Sequence, residues 1–352
     1  MAEGIASVTQ LRVGSVDVDP DPVLVRCTAP DALSNLVAVL ELAADGHLRC
    51  SAATRCPWVS TVKLVEDVLV AGDYYAAGEP IAAFAWPLLI LTGGLAVLAR
   101  GDGPYGLPGP RREGMARGDE PHSLPGPRRE GAGGVRLDLT PRGRAVLAGP
   151  SYAALGSLWA RWLRSVSTDE LSRVETIKGQ RRPSTLTPAV KRRAAVVAAL
   201  GTLESGVWTD IDELFGLLRA QRPPLAVARS LMALWRLYVA DSYYGSLGHA
   251  GPRVWDILEG RYALCVLFEY AATAGLVDVA YANPRGARDD YRALWGADQY
   301  AYLSRYDGLL AVRINELGAA ILHDPGALPG IGLPVPRGSR RSGPWLVSDP
   351  LR

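Results

Sequence analysis

The chain has 352 residues, with 38 Lys plus Arg against 36 Asp plus Glu, a net charge of +2, 48% hydrophobic and 21% charged residues. This composition excludes collagen, disulfide scaffolds and wholly disordered chains, and the length predicts two or three domains, each with its own core. Only three basic residues are lysines (Lys63, Lys178 and Lys191), so arginine abundance reflects coding bias and becomes informative only where arginines cluster.

Leu33, Leu36, Val37 and Leu40 fall at i, i+3, i+4 and i+7 and predict an amphipathic helix, with Thr28 and Asp31 at its start and Gly46 at its end. A short strand over His47–Cys50 follows. Ser60 and Thr61 open a second helix carrying Val62, Val65, Val68 and Leu69, closed by Gly72. The run from Pro80 to Ala99 holds no charge over 20 residues, long enough for a membrane span. Pro87 and the Gly93-Gly94 pair divide it, so the expectation is a buried helix from Ile81 to about Leu91 and a strand over Leu95–Ala99, with no membrane association. A returning strand, Val135–Leu139, leads into a short helix that Thr140 caps and Pro141 begins.

Tyr152 to Val166 presents Leu155, Leu158, Trp159 and Trp162 on one face, and Ser167 with Glu170 forms a capping-box pattern for a further helix. The second half then repeats the plan. A helix runs from Thr187-Pro188 to Leu200, an extended piece covers Trp208 and Thr209, and Ile211, Leu214, Phe215 and Leu218 share a helix face. An extra helix is expected on Leu231, Leu234, Trp235 and Tyr238. A long helix from Trp255 to Ala274, strands Leu276–Tyr281 and Leu309–Ile314, and a cap at Asn315 complete the set.

The order of helix, strand, helix, helix, strand, loop, strand, helix resembles a winged helix-turn-helix domain. The phrase Leu139-Thr140-Pro141-Arg142-Gly143-Arg144-Ala145-Val146-Leu147 looks like the end of many bacterial wings. The resemblance implies a mainly α protein with small β-hairpins (α+β), built from two winged-helix domains joined by a helical connector. The expected organisation is an N-terminal segment (1–28), a first winged helix (29–150) with a long wing insertion (101–134), a connector (151–187), a second winged helix with an inserted helix (188–325) and a flexible tail (326–352). The insertion carries the octapeptide LPGPRREG twice, at Leu107–Gly114 and Leu124–Gly131. With five arginines against five acids it predicts a duplication in a disordered loop more than a phosphate-tracking arm.

Charge is uneven. Residues 1–100 sum to −5, 101–134 to 0, 135–200 to +8 and 201–352 to −1. The densest part, Lys178, Arg181, Arg182, Lys191, Arg192 and Arg193, has no acid among it. With Arg142 and Arg144 it forms a candidate contact for nucleic-acid phosphates. The Ile81–Leu91 helix carries no Arg, Asn or Gln to pair with base edges, so contact with DNA is expected to be backbone-led and weakly specific.

Four cysteines are too sparse to staple the chain and fit a reduced, cytoplasmic setting. His47, Cys50, Cys56 and Cys27 lack the spacing of a zinc site, so no metal is expected. The aspartates around Asp278–Asp307 read as a solvated loop with arginine partners. The Gly-rich stretches are neither P-loops nor dinucleotide fingerprints, and His249 has no evident catalytic partner. The expected function is therefore non-catalytic and without cofactor: association with the DNA backbone, or a protein–protein adaptor subunit using apolar winged-helix faces.

Overall fold

The computed structural model describes residues 22–75, 78–99, 134–181, 185–323 and the pair 345–346. The 107–131 repeat and Arg182 lie outside them. The architecture is α+β, with helices around two small antiparallel sheets. In the first half, α1 (Ala29–Ala44), β2 (Arg49–Ser51), α2 (Val59–Val68), α3 (Ala82–Thr92), β3 (Ala96–Leu98), β4 (Gly134–Leu139) and α4 (Pro141–Ala148) follow in order. Their sheet runs β2-β4-β3, with Cys50 opposite Val135 and Val97 opposite Asp138. The expected pairing of the two strands flanking the long insertion is therefore present.

In the second half, α6 (Ala189–Leu200), β5 (Trp208–Asp210) and α7 (Ile211–Ala220) precede a long helix, α9. That helix comprises π-helical Asp256–Gly260, α-helical Arg261–Cys265 and π-helical Val266–Ala271. Strands β6 (Val277–Tyr281) and β7 (Leu309–Ile314) and helix α10 (Glu316–Leu322) complete it. The sheet order β5-β7-β6 matches β2-β4-β3 position for position, and β1 (Leu24–Arg26) and β8 (Trp345–Leu346) extend it beyond β6.

The correspondence reaches single hydrogen bonds. Helix α3 ends with Gly94 at φ 71° and the Leu95 N–H donating to Ile90 O at 2.8 Å; α9 ends with Gly275 at φ 82° and the Leu276 N–H donating to Ala271 O at 2.9 Å. Both are left-handed glycine terminations that turn a helix into a strand. At the other end of each hairpin, Thr140 accepts from the Gly143 N–H and Asn315 accepts from the Gly318 N–H, each at 3.0 Å. A Cβ at Gly143 would collide with Leu95 O, and one at Gly318 with Leu276 O. One steric device thus locks the last helix onto the start of the hairpin twice.

One hydrophobic core runs through both halves. Helix α5 (Tyr152–Arg164) lies between them: Leu158 meets α3 at Gly93, Trp159 stacks on Trp162 at 4.6 Å, and Trp162 stacks on Tyr270 of α9 at 4.7 Å. The uncharged run is the 11-residue α3 plus β3, and no helix among the described residues is long and apolar enough to cross a membrane. One expectation needs correction. The helix on Leu231–Tyr238 is a single turn, α8 (Leu231–Leu234), because Tyr238 is extended and bridges Lys178 on one side and Ser246 on the other. Of the expected tail, the pair Trp345–Leu346 lies beside β1 as β8, and the rest falls outside the described residues.

Candidate nucleic-acid interface

The basic patch read from the sequence divides in two. Arg192 and Arg193 lie on the α6 stripe that also carries Val196, Ala199 and Leu200, and both are buried. The expectation of an exposed, solvated helix start is therefore corrected for this pair. Arg193 Nε and Nη2 donate to Glu170 Oε1 at 2.9 and 2.6 Å, Nη1 donates to Trp162 O and Ser165 O, and Nη2 also reaches Thr168 O. The guanidinium thus saturates the carbonyl end of α5, where the helix dipole favours a cation. Arg192 pairs with Asp169 and lies 4.7 Å over the Tyr262 ring. Neither side chain can reach a phosphate.

Around them runs a buried ionic network built on α9 and a 3₁₀ turn, Glu170–Arg173. Glu170 Oε2 accepts from the Tyr262 hydroxyl at 3.1 Å; burial pushes this carboxyl up, opposed by Arg193. Arg173 Nε donates to both oxygens of Glu269, to which the Tyr306 hydroxyl also donates. Arg261 grips Asp307 through Nε and Nη2 at 3.1 and 3.2 Å. These arginine–carboxylate forks tie the connector, α9 and the 303–307 segment together, and they are charge-assisted and geometrically specific.

Glu259 on α9 stands apart because no arginine forks it; its Oε1 accepts from the Val227 N–H at 2.9 Å. Burial raises its pKa from 4.5 to about 7. A raised folded-state value means that its contribution is fully present below the unfolded pKa and is lost as pH rises through about 7. At about 1.4 kcal/mol per unit, stability should fall by about 3 kcal/mol between pH 4.5 and 8. Urea unfolding of Glu259→Gln should show that fall reduced, and an unchanged pH profile would contradict the assignment.

The exposed cations lie elsewhere. Arg181 and Lys191 are exposed and Lys178 is partly covered. On α4, Arg144 is exposed and its Nη1 donates to Leu139 O at 2.7 Å. Arg142 is half-covered, and its Nη1 is buried with no hydrogen-bond partner among the described residues. Burial and the Arg161 guanidinium of α5 push the Arg142 pKa down. Arg161 and Arg164 project from the last turn of α5, both exposed, and Arg161 Nη1 would stand 3.6 Å from a Cβ at Gly94. Arg142 and Arg161 thus come together between α4 and α5, exposed Arg144 and Arg164 stand on the same two helices, and no acid occurs in the sequence between Asp138 and Asp169. Arg161 and Arg164 escape a reading based on charge density because they are three residues apart. Their place off the Leu155, Leu158, Trp159 and Trp162 stripe, Arg161 at its flank and Arg164 opposite it, is the signal that finds them.

The helices that would enter a DNA groove in a winged-helix protein are inside. Residues 85–90 of α3 are buried, as is all of 257–271 in α9. A cleft of about 330 Å³ lies beside Glu79, Glu175, Tyr302 and Arg305, whose charges satisfy one another: Arg305 bridges Glu79 and Glu175 at 3.0 and 3.4 Å, and Tyr302 donates to Glu79. Among the described residues no group of three or more His, Cys, Asp or Glu is placed to hold a metal. Cys50 faces the core, and burial pushes its thiol up to about 12. Comparison with protein-family models, curated proteins and solved structures returns no match to this chain.

Proposed function

We propose that the chain is a non-catalytic, cytoplasmic, DNA-associated protein of two fused winged-helix units. It meets the phosphate backbone with low sequence specificity through Arg142, Arg144, Arg161 and Arg164. The repeated glycine-terminated helix, hairpin and capped helix support the two-unit reading. The observation that carries the functional reading is the Arg142–Arg161 pair. Burial and, after it, the nearby Arg161 charge push the Arg142 pKa down, no acid occurs in the sequence between Asp138 and Asp169, and the buried Arg142 Nη1 has no hydrogen-bond partner among the described residues. Like charges held together with no ion pair to an acid among the described residues form a site for an anion, and arginine forks fit phosphate.

The adaptor reading keeps one supporting observation. Leu231 and Met232 are strongly exposed, whereas the apolar α3 is covered. A labelled duplex of arbitrary sequence separates the two. The backbone reading expects binding at about 50 mM salt that weakens by orders of magnitude by about 200 mM, alike for unrelated sequences. No binding at low salt favours the adaptor.

A further inference from the structure

Two stretches of chain run antiparallel and lift an apolar turn between them. The Lys178 N–H donates to Tyr238 O at 2.8 Å, and the Tyr238 N–H donates to Lys178 O at 3.2 Å. Farther along, Leu186 bridges Ala228, and the Arg229 N–H donates to Thr185 O at 3.0 Å. Between these ties stands the single turn α8. Leu231 is 78% exposed, Met232 68% and Trp235 46%. Their spacing of i, i+1 and i+4 puts them on one side of the turn. Large apolar side chains grouped in this way mark an interaction site, unlike those scattered singly.

The turn is held from below. The Ser230 hydroxyl accepts from the Ala233 N–H at 3.3 Å, and Ala233 is buried. The Trp235 ring lies where a Cβ on Gly248 would collide with it, and it meets His249 edge-on at 4.7 Å. Ser246 Oγ donates to Trp235 O at 3.2 Å. A Cβ at Gly179 would strike Arg236 O, so the neighbouring stretch closes against the same turn. The apolar side is preorganised, which lowers the entropy lost on binding.

Cations rim it. Arg229 and Arg236 flank the turn and are exposed, and the antiparallel course from the Lys178–Tyr238 bridge carries exposed Arg181 toward Trp235. The stretches that meet here, 176–187, 222–240 and 242–255, hold no acid. The carboxylates bordering them are engaged. Glu175 pairs with Arg305, Asp256 with Arg219, and Asp241 accepts from the N–H groups of Tyr243 and Tyr244. Glu259 is buried against the Val227 N–H. An apolar centre with a cationic rim is the complement of an apolar face edged by carboxylates. Leu231 and Met232 offer no π-face on which a base could stack. A partner helix presents apolar residues at the matching one-turn spacing, with Met232 adapting its shape and Trp235 serving as the anchor.

We propose that α8 and its flanks dock an acidic amphipathic helix of a partner protein. This goes beyond the duplex-backbone reading, uses none of its residues and stands whether or not the chain binds DNA. The test uses the full chain and a fluorescein-labelled helical peptide of about 18 residues, with leucines on one face and glutamates on the other. Leu231→Ser with Met232→Ser is expected to weaken peptide binding about tenfold or more. The thermal midpoint should not move, because both side chains are exposed. Arg181→Gln with Arg236→Gln should weaken binding and flatten its salt dependence, and a peptide with glutamine for glutamate should do the same. Should the serine pair lower the midpoint, the arginine pair and the glutamine peptide carry the test. Replacing Arg142, Arg161 and Arg164 with Gln should abolish duplex binding and leave the peptide untouched, so the two readings fail separately. Absence of peptide binding at low salt, equal binding by the serine variant, or capture of phosphatidylserine vesicles or oligothymidylate in place of the peptide would overturn the proposal.

Discussion

Glu170→Ala is expected to destabilise the fold by about 3–5 kcal/mol, because it leaves the fully buried Arg193 without its counterion. The carboxylate accepts two arginine bonds on one oxygen and a tyrosine hydroxyl on the other, so alanine also orphans Tyr262. Arg193 would keep its three backbone carbonyls, but a guanidinium in a dry site needs net negative charge as well as acceptors. Replacing both partners together, Glu170→Leu with Arg193→Met, should cost far less than the single change, since the penalty belongs to the unpaired charge. Urea denaturation of the three proteins checks this. A loss below about 1 kcal/mol for the single variant would mean that the site is wetter than the structure indicates.

Trp86→Ala should cost about 3–5 kcal/mol as well, through lost burial and a cavity that the surrounding helices cannot fill. Trp86 is fully covered at the centre of α3, and its indole Nε1 has no hydrogen-bond partner among the described residues. Alanine therefore removes packing alone. Trp86→Phe, which keeps an aromatic ring and forfeits no bond, should retain most of the stability. Thermal unfolding of both variants measures the difference. Near-equal stability of Trp86→Ala and the parent would contradict the placement of the uncharged 80–99 run in the core.

Much of the fold was legible because its signals are local. The i, i+3, i+4 stripes, the glycines at 94 and 275 and the caps at Thr140 and Asn315 each specify geometry within a few residues, and the observed elements follow them. What escaped depends on distant partners. Strand β1 has three residues and is stabilised by pairing with β6, more than 250 positions away, and no window of sequence contains that information. The candidate interface was half legible. A run of charges predicts solvent, yet Arg192 and Arg193 share a helix face with Val196 and Leu200, with the buried Glu170 paired to Arg193 and the partly exposed Asp169 paired to Arg192. Periodicity carried the right answer and charge density the wrong one. Helix α5 shows the reverse, since Arg161 and Arg164 are unremarkable as charges and informative only by their place away from its apolar stripe.

The same distinction dictates the decisive variant. Substituting Arg192 and Arg193 should destabilise the fold by unpairing buried groups and so confound any ligand readout, whereas Arg142, Arg161 and Arg164 are on or near the surface and their replacement should leave the fold intact. The measurement is duplex affinity across a range of salt for the parent and for Arg142→Gln, Arg161→Gln, Arg164→Gln combined, with circular dichroism to verify folding. At about 0.9 per phosphate, losing three contacts should flatten the slope of log affinity against log salt by about 3 units, equally for unrelated duplexes. An unchanged slope in a folded triple variant would contradict the assignment of the α4–α5 edge as the backbone-binding surface.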